Sequence, residues 1–149
     1  MGSLDRPAFE RGTGFLLARL GTLAQRSWTA FLSEIELTQS QYALLYVLVE
    51  YRELVQRRLA ELATIEPRNV GYVIDELESA RLVERAVDST DRRRRIVRIT
   101  RAGVTLMSSL ETRLQLEQGE FLSPLSDDER HQLNALLQRI LTSHTTDPT

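Results

Sequence analysis

The chain has 149 residues, 42% of them apolar and 27% charged, with a formal net charge of −2 and no cysteine. That size and balance suit one soluble globular domain or two small fused layers, with a core large enough to stand without covalent staples. The missing cysteines exclude disulfides, thiolate zinc sites and cysteine-based redox sensing, and the two histidines, His131 and His144, lie too far apart for an i,i+4 metal pair.

Residues 7–35 read as one long amphipathic helix. Leu16, Leu20, Leu23 and Phe31 recur near helical spacing, with Leu17, Ala24, Trp28 and Ile35 beside them. The stripe is wide enough to be buried against more than one partner. Thr38 and Gln41 then have the spacing of a capping box, in which each side chain bonds the other residue's amide. They open a helix that reaches Tyr51. A short helix is expected over residues 55–63. After the turn Thr64-Ile65-Glu66, Pro67 suits the first turn of a helix running to about Ala80. Its inward positions are Val70, Val73, Ile74 and Leu77, and its other face offers Arg68, Asn69, Gly71, Tyr72, Asp75 and Glu76.

Two strand-like segments follow, residues 82–87 and 96–100, with turn chemistry between them at Asp88-Ser89-Thr90. Thr100 is placed to cap a further helix through Phe121. Pro124 interrupts, and Ser126 with Glu129 repeats the capping-box spacing at the start of a last helix carrying Leu133, Leu136, Leu137, Ile140 and Leu141. The polar tail from Ser143 is expected to fray. No apolar run approaches the ~18 residues of a membrane span. The first residues lack the basic-then-apolar pattern of a secretion signal, so a cytoplasmic protein is expected.

The charge is unevenly placed. From Arg85 to Arg101 seven arginines face two acids, whereas from Ala102 onward three arginines face seven acids. Arg92, Arg93, Arg94 and Arg95 stand in a row between the two strands, right after Asp91. The plainer reading of such a run is a solvated surface. Its place at a hairpin tip suits a polyanion instead, and the narrow groove of duplex DNA is the obvious one. Successive strand residues alternate faces, so one or two arginines are expected in a groove and the rest on the backbone. Two short helices, a tight turn and a hairpin make a winged helix-turn-helix order. In that arrangement the second helix lies in the major groove, where Arg68, Asn69 and Tyr72 are the candidate readers. Glu66 repels phosphate unless it is paired or meets a cytosine amine.

Three motifs resemble the MarR (multiple antibiotic resistance regulator) family of winged helix-turn-helix transcription regulators. They are the run 37–45 (LTQSQYALL), Leu59-Ala60-Glu61-Leu62-Ala63, and the wing segment from Asp88 to Arg93 with Val97 through Gly103. The resemblance implies a mainly α fold with a small β-hairpin wing. It also implies a DNA-binding region at 37–100 and long dimerisation helices at 1–36 and 101–149. It implies that Asp91 braces the wing, with Arg85 or Arg92 as partner, and that Arg93 enters the minor groove; Arg94 and Arg95 extend the basic tip beyond the family minimum and suit phosphates, and Arg92 is counted with them as a DNA-binding wing residue. Two departures stand out. Arg81 occupies a position that is usually glycine, so either the turn differs or Arg81 is strained, and Gly71 replaces the usual serine or threonine, which bears on the operator sequence.

The expected partners are double-stranded DNA, a second copy of the chain and a small aromatic or lipophilic effector, with no membrane, metal or cofactor. For the effector, the candidates are Trp28, Tyr42 and Tyr46, with Arg19 or Arg26 as anion partner, although aromatics at helical spacing are more often core. The function expected is a sequence-specific repressor acting as a homodimer on a pseudo-palindromic operator. The alternatives are an activator of the same fold and a winged helix used for protein contact. An enzyme is not expected, since neither a nucleophile–base arrangement nor a phosphate-cradling glycine loop is present.

Overall fold

The computed structural model describes residues 7–145. They form two compact units, one reaching Val104 and the other starting at Thr105. In the first unit a 3-10 turn (Ala8–Arg11) precedes helix α1 (Thr13–Glu34). The single helix expected from Pro7 is therefore broken. Gly12 takes an extended conformation (ψ 142°) between the two pieces, consistent with the weak helix propensity of glycine.

Helix α2 (Gln39–Tyr51) begins with the expected capping box. The Gln41 amide donates to Thr38 Oγ1 at 3.1 Å, and the Thr38 amide donates to Gln41 Oε1 at 2.9 Å. The helix ends at Arg52, which has φ 68°, and strand β1 (Glu53–Val55) follows. This strand was not expected. The sequence pattern places Val55 in the next helix, but its backbone is extended (ψ 136°) and pairs with Ile96, so α3 (Gln56–Leu62) starts one residue later.

Helix α4 (Pro67–Ser79) carries Pro67 in its first turn and buries Val70, Ile74 and Leu77. The hairpin consists of β2 (Val83–Val87) and β3 (Arg95–Ile99), each within a residue or so of the segments expected. The three strands are antiparallel in the order β1-β3-β2. Leu44, Leu45 and Leu48 of α2, Leu59 of α3, Ile74 and Leu77 of α4, and Val83 and Val97 of the sheet are all essentially excluded from solvent. Each such side chain contributes about 1.5–3 kcal/mol of burial.

Two close fits hold the end of this unit. Thr100 Oγ1 accepts from the Gly103 amide at 3.1 Å and donates to the Arg81 carbonyl at 2.7 Å. A Cβ on Gly103 would stand 2.4 Å from the Leu82 carbonyl oxygen and 2.7 Å from Ile99 Cγ1. Helix α4 closes with Arg81 left-handed at φ 61°, its amide bonding the Glu78 carbonyl, while the Leu82 amide reaches back to Leu77. The turn is thus the one a glycine would make, built on a residue with a Cβ. Glu36 (φ 56°) and Thr64 (φ 55°) end α1 and α3 in the same way.

Helix α5 (Arg101–Phe121) runs from the first unit into the second, which also contains α6 (Asp127–Thr145). The Ser126–Glu129 capping box forms at 2.9 and 3.3 Å, and Arg130 donates to the carbonyls of Leu122 and Gly119 across the turn. Helix α6 continues through Thr145, past the Ser143 at which fraying was expected, and residues 146–149 lie outside the described residues. No residue of α6 is buried; Leu136, Leu137, Ile140 and Leu141 are 42–63% exposed. On α1, Leu16, Leu17 and Leu20 are likewise exposed, and Phe31 and Leu32 alone are buried. Among the described residues no helix is long and apolar enough to cross a membrane.

Candidate nucleic-acid interface

Helix α4 turns Val70, Ile74 and Leu77 inward, which leaves Arg68, Asn69 and Tyr72 exposed on its outer face. Tyr72 is 71% exposed, unusual for a large aromatic side chain. Gly71 sits among them with nothing within 4 Å of where a Cβ would be. Arg68 is not free: its Nε lies 2.9 Å from Glu66 Oε2. Glu66, suspected of repelling phosphate, is therefore paired.

The wing tip is a tight, internally bonded turn. Asp88 accepts from the Thr90 amide at 2.9 Å and from the Thr90 hydroxyl at 2.8 Å. These bonds, with Arg94 nearby, hold its carboxyl below the ordinary range. The Asp88 amide donates to the Arg94 carbonyl at 3.1 Å and closes the loop. Asp91 accepts from the Arg93 amide at 3.0 Å and lies 3.7 Å from Arg94 Nε. Its partner is thus Arg94, not Arg85 or Arg92. The reason is local: the turn folds residue 94 back over residue 91, with the Arg94 amide on the Asp91 carbonyl at 3.0 Å. Arg92, Arg93 and Arg95 are exposed, and each is without an ion-pair partner among the described residues.

Arg85 faces the other way. Its guanidinium pairs with Asp75 and Glu78 of α4 and donates to the Gly71 carbonyl at 3.0 Å. Its amide also donates to Glu78 at 3.0 Å. Arg98, in the central strand, pairs with Glu53 at 2.7 Å on one neighbour and Glu84 at 3.7 Å on the other, and the Glu53 hydrogen bond raises its pKa above the ordinary value. Counting charges along the sequence therefore overstates the basic patch. Arg85 and Arg98 are compensated by acids from other elements, and the uncompensated charge is concentrated at the tip.

Three of the effector candidates come together in the first unit. Trp28 meets Tyr42 edge-on at 5.0 Å between ring centres and stacks on Phe31 at 5.7 Å, and Tyr46 lies 6.1 Å from Tyr42. Tyr46 is 61% exposed. Arg19 and Arg26 are exposed on α1 and form no ion pair among the described residues. No cluster of three or more metal-binding side chains occurs among the described residues.

The sequence pointed to the outer face of α4 and the arginine run. It did not disclose the Arg85 contacts or the Glu66–Arg68 pair. The available signal was acids at outward positions of α4, facing an arginine that alternates inward on the next strand.

A family model described as the MarR family matches residues 37–94, the stretch from the start of α2 to the wing tip. Over that stretch the chain is similar to the MarR family. A relative in Thauera aromatica, named as a candidate transcriptional regulator of the hcr operon, is 29% identical over 136 residues, covering 91% of this chain and 82% of that one. The solved PcaV transcriptional regulator of Streptomyces coelicolor is 28% identical, with a TM-score of 0.70 over 89% of this chain and 97% of that one. PcaV has also been solved in complex with its natural ligand. A mutant of MepR from S. aureus, at 23% identity and a TM-score of 0.77, covers 90% of this chain and 99% of its own, and shows the shared fold. With these regulators the chain shares a mainly α-helical fold with a small antiparallel wing.

Proposed function

We propose that this regulator is a homodimeric repressor that binds a pseudo-palindromic duplex operator in the cytoplasm and is released by a small aromatic or lipophilic effector. The observation that carries the reading is the pairing, within one compact unit, of an outward α4 face bearing Arg68, Asn69 and Tyr72 with a rigid hairpin tip bearing uncompensated arginines. In this reading α4 enters the major groove and contacts base edges. Arg93 enters the adjacent minor groove, and Arg92, Arg94 and Arg95 clamp phosphates. Asp91 and Arg85 keep the wing in shape, the first through the turn and the second through α4.

Residues 37–100 carry DNA binding, and 1–36 with 101–149 carry dimerisation. The exposed leucines of α1 and α6 support this division, since apolar stripes of that extent are rarely left to water. A dimer presents two α4 helices roughly 34 Å apart, one turn of duplex. The Trp28–Tyr42–Tyr46 cluster, with Arg19 or Arg26 for an acid group, is the effector site, and PcaV's ligand complex supports ligand control in this fold. An effector acts by favouring a dimer whose α4 helices are mis-spaced, which couples effector and operator reciprocally.

Selection of duplexes from a random pool by the full chain tests the reading, with light scattering for the dimer. A palindromic consensus is expected. No enrichment, or a folded 17.1 kDa monomer at micromolar concentration, overturns it and favours a winged helix used for protein contact.

A further inference from the structure

Position 66 is the N-cap of α4, where a short polar side chain normally bonds a free amide of the first turn. Glu66 has the extended backbone of an N-cap (φ −60°, ψ 137°), yet its side chain makes no such bond. Its backbone carbonyl still accepts from the Asn69 and Val70 amides at 2.8 and 3.2 Å. The carboxylate is directed instead to Arg68, 2.9 Å from Nε, in a pair whose side chains are 66% and 80% exposed. Pro67 between them has a ring-fixed φ, so the two side chains leave the backbone at a set relative angle.

An exposed pair of this kind adds little to folding stability. Its effect is on the arginine. A guanidinium carries five N–H donors, and an acceptor at Nε leaves the end-on Nη1/Nη2 fork available. The O6 and N7 atoms of guanine are the two acceptors that such a fork fits. The carboxylate also offsets the arginine's charge, which weakens its attraction to any phosphate it meets.

Resting on the DNA-binding function proposed above, we infer that Glu66 is a specificity-determining positioning residue: it aims the Arg68 fork at one guanine and disfavours placements where that guanine is missing. It contributes to discrimination in two ways, by ordering a long flexible side chain before binding and by keeping a negative charge beside the groove.

The test uses the full chain, the variants Glu66→Gln, Arg68→Ala and the double variant, and three sets of probes. These are the duplex recovered by the unaltered chain from a random pool, that duplex with each base pair replaced in turn, and a random duplex. Glu66→Gln is expected to melt at the same temperature and to bind random duplex more tightly, because a negative charge is gone. It should lose about tenfold discrimination at a single guanine. Arg68→Ala should lose discrimination at that same base pair, and the double variant should match Arg68→Ala alone. Unchanged discrimination in Glu66→Gln overturns the inference. So does a loss at a different base pair, or additive losses in the double variant, because either makes Glu66 a reader in its own right. If the unaltered chain enriches no sequence at all, the proposed function fails along with it.

Discussion

The guanidinium of Arg85 donates to the main-chain carbonyl of Gly71 at 3.0 Å, which fastens the first strand of the wing to the middle of α4. The same group pairs with Asp75 and Glu78, and its side chain is 23% exposed. Arg85→Ala removes the guanidinium from Asp75, Glu78 and the Gly71 carbonyl and leaves only the residue-85 amide on Glu78. It is expected to lower stability by about 1–3 kcal/mol in urea unfolding. Arg85→Lys should recover only part of that, because an ammonium cannot serve three acceptors with a planar fork.

The tip arginines should behave differently. Arg93→Ala is expected to weaken binding to the selected duplex by about 1–3 kcal/mol without moving the melting temperature. Arg95→Ala should lower the salt dependence of binding by about one counterion, with little change in base preference. Fluorescence anisotropy at several salt concentrations measures both. Equal losses in the two variants would remove the distinction between groove entry and phosphate contact.

Left-handed Arg81 gives a prediction of opposite sign. A residue with a Cβ at φ 61° is strained by about 1–2 kcal/mol, and glycine there brings back roughly 0.5–1 kcal/mol of chain entropy cost. Arg81→Gly should therefore stabilise the fold by about 0.5–1 kcal/mol. A lower denaturation midpoint in this variant would mean that the Arg81 side chain contributes more than its backbone loses.

Gly103 tolerates no such freedom. A methyl group there would collide with the Leu82 carbonyl and with Ile99, both part of the junction between the hairpin and α5. Gly103→Ala is expected to cost about 1–3 kcal/mol, the range for overpacking a close contact. Chemical denaturation checks this, and a neutral result would show that the start of α5 can shift away from the sheet.

Much of this was legible in the chain itself, and the reason is local chemistry. The capping boxes at Thr38 and Ser126, the helix start at Pro67 and the alternation of Val83, Arg85 and Val87 against Val97 and Ile99 depend on neighbours within a few residues. Strand β1 was not legible, because Glu53, Leu54 and Val55 are too few to show alternation and are extended only through pairing with β3. Helix ends at Glu36 and Thr64 were equally hidden, since neither residue announces a left-handed turn as glycine does. At the candidate site the exposed face of α4 followed from helical spacing. The partners of Arg85 did not, because they come from residues seven to fourteen positions away on another element.

Strand β1 has the shortest pairing in the sheet, yet it ends in Val55, the residue that caps α3, and it is joined to β3, which returns from the wing tip. The hairpin and α3, the helix that leads to α4, are therefore joined by one backbone ladder. In the proposed binding mode the ladder sets the interval between the two grooves, and side chains set which bases are accepted. In that mode a change at Arg68 rewrites a letter, whereas a change in the register of Glu53 to Val55 against Ile96 to Arg98 would alter the length of the word.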